Sequence, residues 1–98
     1  MAIQKSFLKS KNICKVTFSY KPEKGQEAYL VGDFNGWNPE NSPLKPLKSG
    51  VFKGVLDLET GKEYEFKYFI NGNFINDEQA DAYKFNEFAG TENSVIAL

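Results

Sequence analysis

Apolar and polar residues alternate one by one along much of this chain, which is the period of a β-strand rather than of a helix. The alternation is clearest in Cys14 to Tyr20, in Val51 to Leu58 and in Tyr64 to Ile70. Turn signals rich in Gly, Pro and Asn separate these segments. No segment sustains a 3.6-residue period, so the sequence predicts an all-β fold.

Shorter segments complete the predicted strands, at Ala28 to Gly32, Phe74 to Asn76 and Ser94 to Leu98. Phe34 to Leu47 contains three prolines and is predicted to be a loop, and Asp77 to Gly90 is predicted to be irregular, with at most one helical turn. We expect one immunoglobulin-like antiparallel β-sandwich domain over residues 1–98. Residues 1–12 are expected to form an edge strand or a flexible N-terminus.

The composition excludes several classes of function. The chain has no histidine and a single cysteine, Cys14, so His-dependent catalytic triads, His-containing zinc sites and cysteine-only metal clusters are not available. Twelve basic and thirteen acidic side chains give a net charge of −1, which argues against binding to nucleic acids and to anionic membranes. We expect neither a cofactor nor a metal. The single cysteine and the absence of a secretory signal predict a cytoplasmic protein.

Three carboxylates, Asp77, Glu78 and Asp81, raise the alternatives of a glycosidase or a calcium site. A small sandwich offers little material for a catalytic cleft, and the spacing does not match a calcium loop. The sequence therefore predicts a domain that is not an enzyme.

The Asn71-Gly72 dipeptide predicts a two-residue type I′ hairpin, because both of its central residues need a positive φ. This turn sets Phe69 opposite Phe74 and places two different faces on the hairpin. One face is apolar and is predicted to be core: Phe66, Tyr68, Ile70 and Ile75. The other face combines two aromatic rings with an amine and an amide: Lys67, Phe69, Phe74 and Asn76.

The second face suits a sugar, whose apolar C–H surface stacks on aromatic rings while its hydroxyls bond to Lys and Asn. An alternative interpretation is that Phe69 and Phe74 form a cross-strand pair that stabilises the hairpin, or that the other sheet covers them.

Three ordered blocks resemble a known family: VGDFNGW at Val31 to Trp37, YEFKYFINGNF at Tyr64 to Phe74, and GTENSV at Gly90 to Val95. They are similar to the glycogen-binding family of carbohydrate-binding modules. That family includes the β subunit of AMP-activated protein kinase and the N-terminal early-set domains of isoamylases and branching enzymes. The resemblance covers Val16 to Leu98 and suggests a stand-alone bacterial member.

The resemblance implies a carbohydrate-binding site made of Trp37, Lys67, Phe74, Thr91, Asn93 and Phe88. Phe74 stands where the kinase-type members have Trp. Ala89 stands where they have Leu, and its neighbour Phe88 is the candidate for that contact. Cys14 is expected to be an inert core residue.

Two functions remain open from the sequence. The first is non-catalytic binding of an α-glucan such as glycogen, starch or a maltooligosaccharide. The alternative is a docking domain of the same fold that binds itself or a partner enzyme, a glycoside hydrolase or a branching enzyme, without binding sugar. A monomer or a weak dimer is expected.

Overall fold

A computed structural model describes residues 2–98. Nine strands and one short 3₁₀ turn, Pro39–Asn41, form this part of the chain. The strands are β1 (Ala2–Phe7), β2 (Ile13–Tyr20), β3 (Ala28–Gly32), β4 (Lys45–Pro46), β5 (Phe52–Glu59), β6 (Glu63–Ile70), β7 (Asn73–Ile75), β8 (Ala82–Asn86) and β9 (Thr91–Ala97).

The strands form two antiparallel sheets, which confirms the predicted all-β sandwich. The first sheet has the order β1-β2-β5-β4, and the second has the order β3-β6-β9-β8. On one side of β6, β9 pairs with Glu63–Phe66 and β7 pairs with Tyr68–Ile70. Lys67 therefore lies where β6 passes from one neighbour to the other, with Val31 of β3 opposite it on the other side.

The core lies between the two sheets and is built from the inward residues of both. Aromatic rings dominate it, with Phe18 and Phe66 at 5.3 Å and Tyr20 and Tyr68 at 5.2 Å between ring centroids. Cys14 is fully buried in this core, as the alternation predicts. The buried cluster comprises Cys14, Val16, Phe18, Ala28, Leu30, Leu44, Leu58, Phe66, Tyr68, Ile70 and Ile96. Its members on β6 are the even-numbered residues, so the odd-numbered residues of β6 face outward.

The structure differs from the predicted strands in three segments. The supposedly irregular stretch from Asp77 to Gly90 contains the edge strand β8. The last strand begins at Thr91 rather than at Ser94, which places two predicted site residues on a strand instead of a loop. The predicted loop from Phe34 to Leu47 contains the 3₁₀ turn and the whole of the two-residue strand β4.

Within residues 2–98, no helix is long and apolar enough to cross a membrane.

Candidate functional site

The loop that follows β3 has a tightly fixed backbone. A Cβ atom on Gly32 would lie 2.6 Å from the backbone oxygen of Glu65, so only glycine lets β3 approach β6 this closely. The side chain of Asn35 closes the turn, accepting from the N–H of Gly32 at 3.0 Å and donating to the carbonyl of Leu30 at 2.8 Å. Gly36 follows with φ of 65°, in the left-handed region. The side-chain amide of Asn35 therefore holds the predicted Asn-Gly turn in place.

Trp37 follows this turn, and hydrogen bonds to nearby residues fix both its backbone and its indole ring. Its φ is 60°, which is uncommon for a residue other than glycine, and its backbone N–H donates to the carbonyl of Gly32 at 3.0 Å. The indole Nε1–H donates to Oδ1 of Asp33 at 3.1 Å. The other oxygen of Asp33 accepts the backbone N–H of Glu65 at 2.8 Å. One carboxylate thus ties the half-buried indole to β6.

Lys67 is not the solvated strand lysine that its residue type usually implies. Only 4% of it is exposed. Within residues 2–98 its ammonium has neither a hydrogen bond nor a salt bridge, and no side-chain nitrogen or oxygen there is both enclosed and unpartnered. The ammonium therefore reaches solvent at the end of a buried stem. Burial lowers the pKa of the Lys67 ammonium, since desolvation disfavours the charged form.

The hairpin after Lys67 has the predicted turn and register. Asn71 and Gly72 have φ of 50° and 80°, and Phe69 lies opposite Phe74. The rings of this pair are 4.9 Å apart, so the cross-strand pair of the alternative interpretation is present. It lies on the outer face, uncovered by the other sheet, and Phe74 is 57% exposed. The ladder ends before Asn76, whose amide donates instead to a carbonyl of β9.

Asn93 and Thr91 approach the hairpin from β9. Asn93 is 4% exposed, and its amide nitrogen donates to Oε1 of Glu65 at 3.3 Å. Within residues 2–98 the amide oxygen of Asn93 accepts no hydrogen bond, so it is available to accept one from a ligand. Thr91 lies at the exposed start of the same strand. Both residues therefore belong to the sheet rather than to a mobile loop.

The outer face of the second sheet forms a shallow concavity of about 480 Å³. It brings together five of the six residues predicted for the site, namely Trp37, Lys67, Phe74, Thr91 and Asn93. We call this the first concavity. Ala89 also lines it, whereas Phe88 does not. Phe88 lies on a neighbouring concavity, so it does not occupy the position expected for the missing Leu.

Several residues around the site were not singled out from the sequence. Glu65 shares the outer face of β6 with Lys67, and the period of two from Lys67 was the signal that could have identified it. Asp33 stands inside the VGDFNGW block, but its bond to the indole depends on the fold of the turn. Asn86 also lines the first concavity and belongs to β8, the strand that the sequence did not reveal.

Two of the three carboxylates considered for hydrolysis or calcium, Asp77 and Asp81, have structural partners. Asp77 is completely buried, accepts the hydroxyl of Tyr68 at 2.7 Å and accepts the backbone N–H of Gln79 at 2.7 Å. Asp81 accepts the ammonium of Lys5 at 2.7 Å. Partial burial alone would raise the pKa of Asp81, but its hydrogen bonds and the Lys5 charge outweigh burial and lower it. These groups connect strands rather than face a common cleft.

A family model described as the glycogen recognition site of AMP-activated protein kinase matches residues 14–98. The chain belongs to this family. The resemblance of the three sequence blocks is thereby confirmed. The family is a carbohydrate-binding module, which is a non-catalytic domain.

Two known proteins are similar to this glycogen-recognition domain. The 1,4-alpha-glucan branching enzyme GlgB 2 of Xanthomonas campestris pv. campestris (strain 8004) is 36% identical over 52 residues, covering 52% of this chain and 7% of the enzyme. The chloroplastic phosphoglucan phosphatase LSF1 of Arabidopsis thaliana is 33% identical over 86 residues, covering 85% of this chain and 14% of the phosphatase. The chain thus spans only a small part of either relative's length.

Proposed function

We propose that this domain binds α-glucan chains, without acting on them, through the first concavity on the outer face of its second sheet. The observation that carries the proposal is the meeting of two aromatic rings, Trp37 and Phe74, with the solvent-reaching ammonium of Lys67 in one concave surface. Membership in a glycogen-recognition family supports the choice of glucan among sugars.

Each side chain has a distinct task in this proposal. The indole of Trp37 and the ring of Phe74 cover the apolar faces of glucosyl units. The ammonium of Lys67 donates to a hydroxyl, and it does so without first losing a partner among residues 2–98. The free amide oxygen of Asn93 accepts from a second hydroxyl, and exposed Thr91 offers a third polar contact at the rim.

The site is largely organised before a ligand arrives. Asp33 holds the indole, Phe69 packs against Phe74, and Glu65 holds Asn93, so little side-chain freedom is lost on binding. The surface is nevertheless open and offers few polar contacts. We therefore expect dissociation constants on the order of micromolar to millimolar.

Native affinity electrophoresis through gels with and without glycogen tests the proposal. The wild-type chain should be retarded by glycogen, and Trp37→Ala and Phe74→Ala should each migrate as if glycogen were absent. Phe7→Ala is a matched control, because Phe7 is 56% exposed on β1 and lines neither concavity. A folded wild type that glycogen does not retard would reject glucan binding and favour the docking alternative.

A further inference from the structure

A second concavity of about 440 Å³ adjoins the first and has an unassigned role. Trp37, Asn86 and Asn93 line both of them, so the two concavities share a wall. Asp33 and Phe88 line the second concavity only. A polymer that fills the first concavity and continues past the indole would enter the second.

The chemistry of the second concavity again combines an aromatic ring with hydrogen-bonding groups. Phe88 is fully exposed, so its ring is available to a ligand and contributes nothing to the core. The carboxylates of Asp33 and Glu65 each accept hydrogen bonds from other groups of the protein. A carboxylate oxygen can accept more than one hydrogen bond. These oxygens are free to accept further hydroxyl groups.

The charge of this surface selects among possible ligands. From the described part of the chain, three carboxylates line the second concavity, those of Asp33, Glu65 and Glu87, whereas Lys84 is the one basic residue there. Lys84 lies 3.7 Å from the carboxylate of Glu63, which offsets part of its charge. A surface of this kind repels phosphate and other anions, whereas neutral hydroxyl groups donate readily to it. A neutral glucosyl unit therefore fits better than a phosphorylated one.

We infer that the second concavity is an additional glucan subsite, and this inference rests on the proposed function. In this subsite, Phe88 and the carboxylates of Asp33 and Glu65 hold neutral glucosyl units of a chain that extends past Trp37 from the first concavity. This subsite gives Phe88 a role different from the missing Leu. It also makes the affinity of the domain depend on glucan chain length, because a short oligosaccharide fills the first concavity alone while a longer one reaches both.

Isothermal titration of the full chain with maltotriose and with maltoheptaose tests the inference. In Phe88→Ala we expect the affinity for maltoheptaose to fall by about threefold to tenfold, the range expected for the loss of one stacked ring. The affinity for maltotriose should stay unchanged. Phe74→Ala should weaken binding of both sugars, and Phe7→Ala should weaken neither. Because Phe88 is fully exposed, its removal should leave the urea midpoint of unfolding unchanged.

The outcomes separate this inference from the proposed function. Binding of both sugars with Phe88→Ala indistinguishable from wild type would overturn the second subsite and leave the first intact. Equal weakening of both sugars in Phe88→Ala would also overturn it, because Phe88 would then act on the first concavity. A wild type that binds neither sugar would reject both proposals.

Discussion

The buried pair of Tyr68 and Asp77 offers a sharp test of how the sheet behind the site is held together. Both side chains are completely buried, and the phenol donates to the carboxylate at 2.7 Å. Tyr68→Phe removes that donor and leaves a buried carboxylate with one hydrogen bond fewer. A hydrogen bond to a charged group contributes about 1.5–3 kcal/mol, so we expect the free energy of unfolding to fall by about 2 kcal/mol.

A second tyrosine supplies the matched control. Tyr83 donates its hydroxyl to the backbone carbonyl of Asp77 at 2.6 Å, but it is 43% exposed and its acceptor is uncharged. Tyr83→Phe should therefore cost about 1 kcal/mol or less. Urea unfolding followed by circular dichroism measures both variants. A loss in Tyr68→Phe no larger than that in Tyr83→Phe would refute the importance of the buried charged bond.

The same pair sets an expectation for alkaline conditions. Burial, reinforced by the neighbouring Asp77 carboxylate, raises the pKa of Tyr68 far above its usual value. A tyrosine that stays protonated when folded but ionises near pH 10 when unfolded stabilises the fold fully below pH 10, and this contribution is lost as the pH rises further. Urea midpoints of the wild type should therefore fall above about pH 10, and less steeply in Tyr68→Phe. Identical pH profiles for the wild type and Tyr68→Phe would contradict a raised pKa of Tyr68 in the folded protein.

Three further predictions concern the loop after β3 and the contact between the sheets. Gly32→Ala should destabilise the fold by about 1–3 kcal/mol in urea unfolding, because the new methyl group would collide with the backbone of β6; an unchanged midpoint would contradict the close packing. Asp33→Ala should weaken glycogen retardation in affinity gels, because the indole loses its acceptor, and retardation equal to wild type would show that the Trp37 ring needs no such support. Lys5→Met should lower the urea midpoint more at pH 7 than near pH 2, where only the bond from Lys5 to the carbonyl of Ala97 remains to be lost. The pKa of Asp81 is depressed in the fold, so the stability from this pair is present above the usual Asp pKa of about 3.9 and disappears as the pH falls. Equal losses at both pH values would mean that the ion pair with Asp81 contributes nothing and that Lys5 acts through its bond to Ala97 or by packing.

The sequence predicted best those features that depend on neighbouring residues. The Asn71-Gly72 turn dictated the hairpin register, because few other residues adopt two consecutive left-handed conformations. That register alone places Lys67 and Phe74 on the hairpin face opposite the predicted core. The alternation of apolar and polar residues identified the inward positions of β2, β5 and β6, because that pattern also depends only on neighbouring residues.

The sequence predicted least where a residue's surroundings come from distant strands. The edge strand β8 has four of its five residues exposed, so it lacks the buried face that would have distinguished it from a loop. Lys67 lies between strands from distant parts of the chain, with β3 on one side and the junction of β9 and β7 on the other, and its local sequence does not show that it is buried. Asp77 looks like any surface carboxylate in the sequence, and only its contact with Tyr68 reveals a buried structural group. Phe88 was assigned by its position beside Ala89, and alternation alone did not fix which concavity it would line.

The central claim, that the first concavity holds glucan, is tested most directly by the fluorescence of Trp37. It is the only tryptophan in the chain, so the tryptophan emission comes entirely from the wall that the first concavity shares with the second. Titration with maltotriose, which fills the first concavity alone, should shift and saturate the emission of the wild type, with a dissociation constant in the micromolar to millimolar range expected above. Phe74→Ala, which keeps the fluorophore, should require much higher sugar concentrations. An emission spectrum that stays unchanged to saturating sugar, while the protein remains folded, would contradict the account.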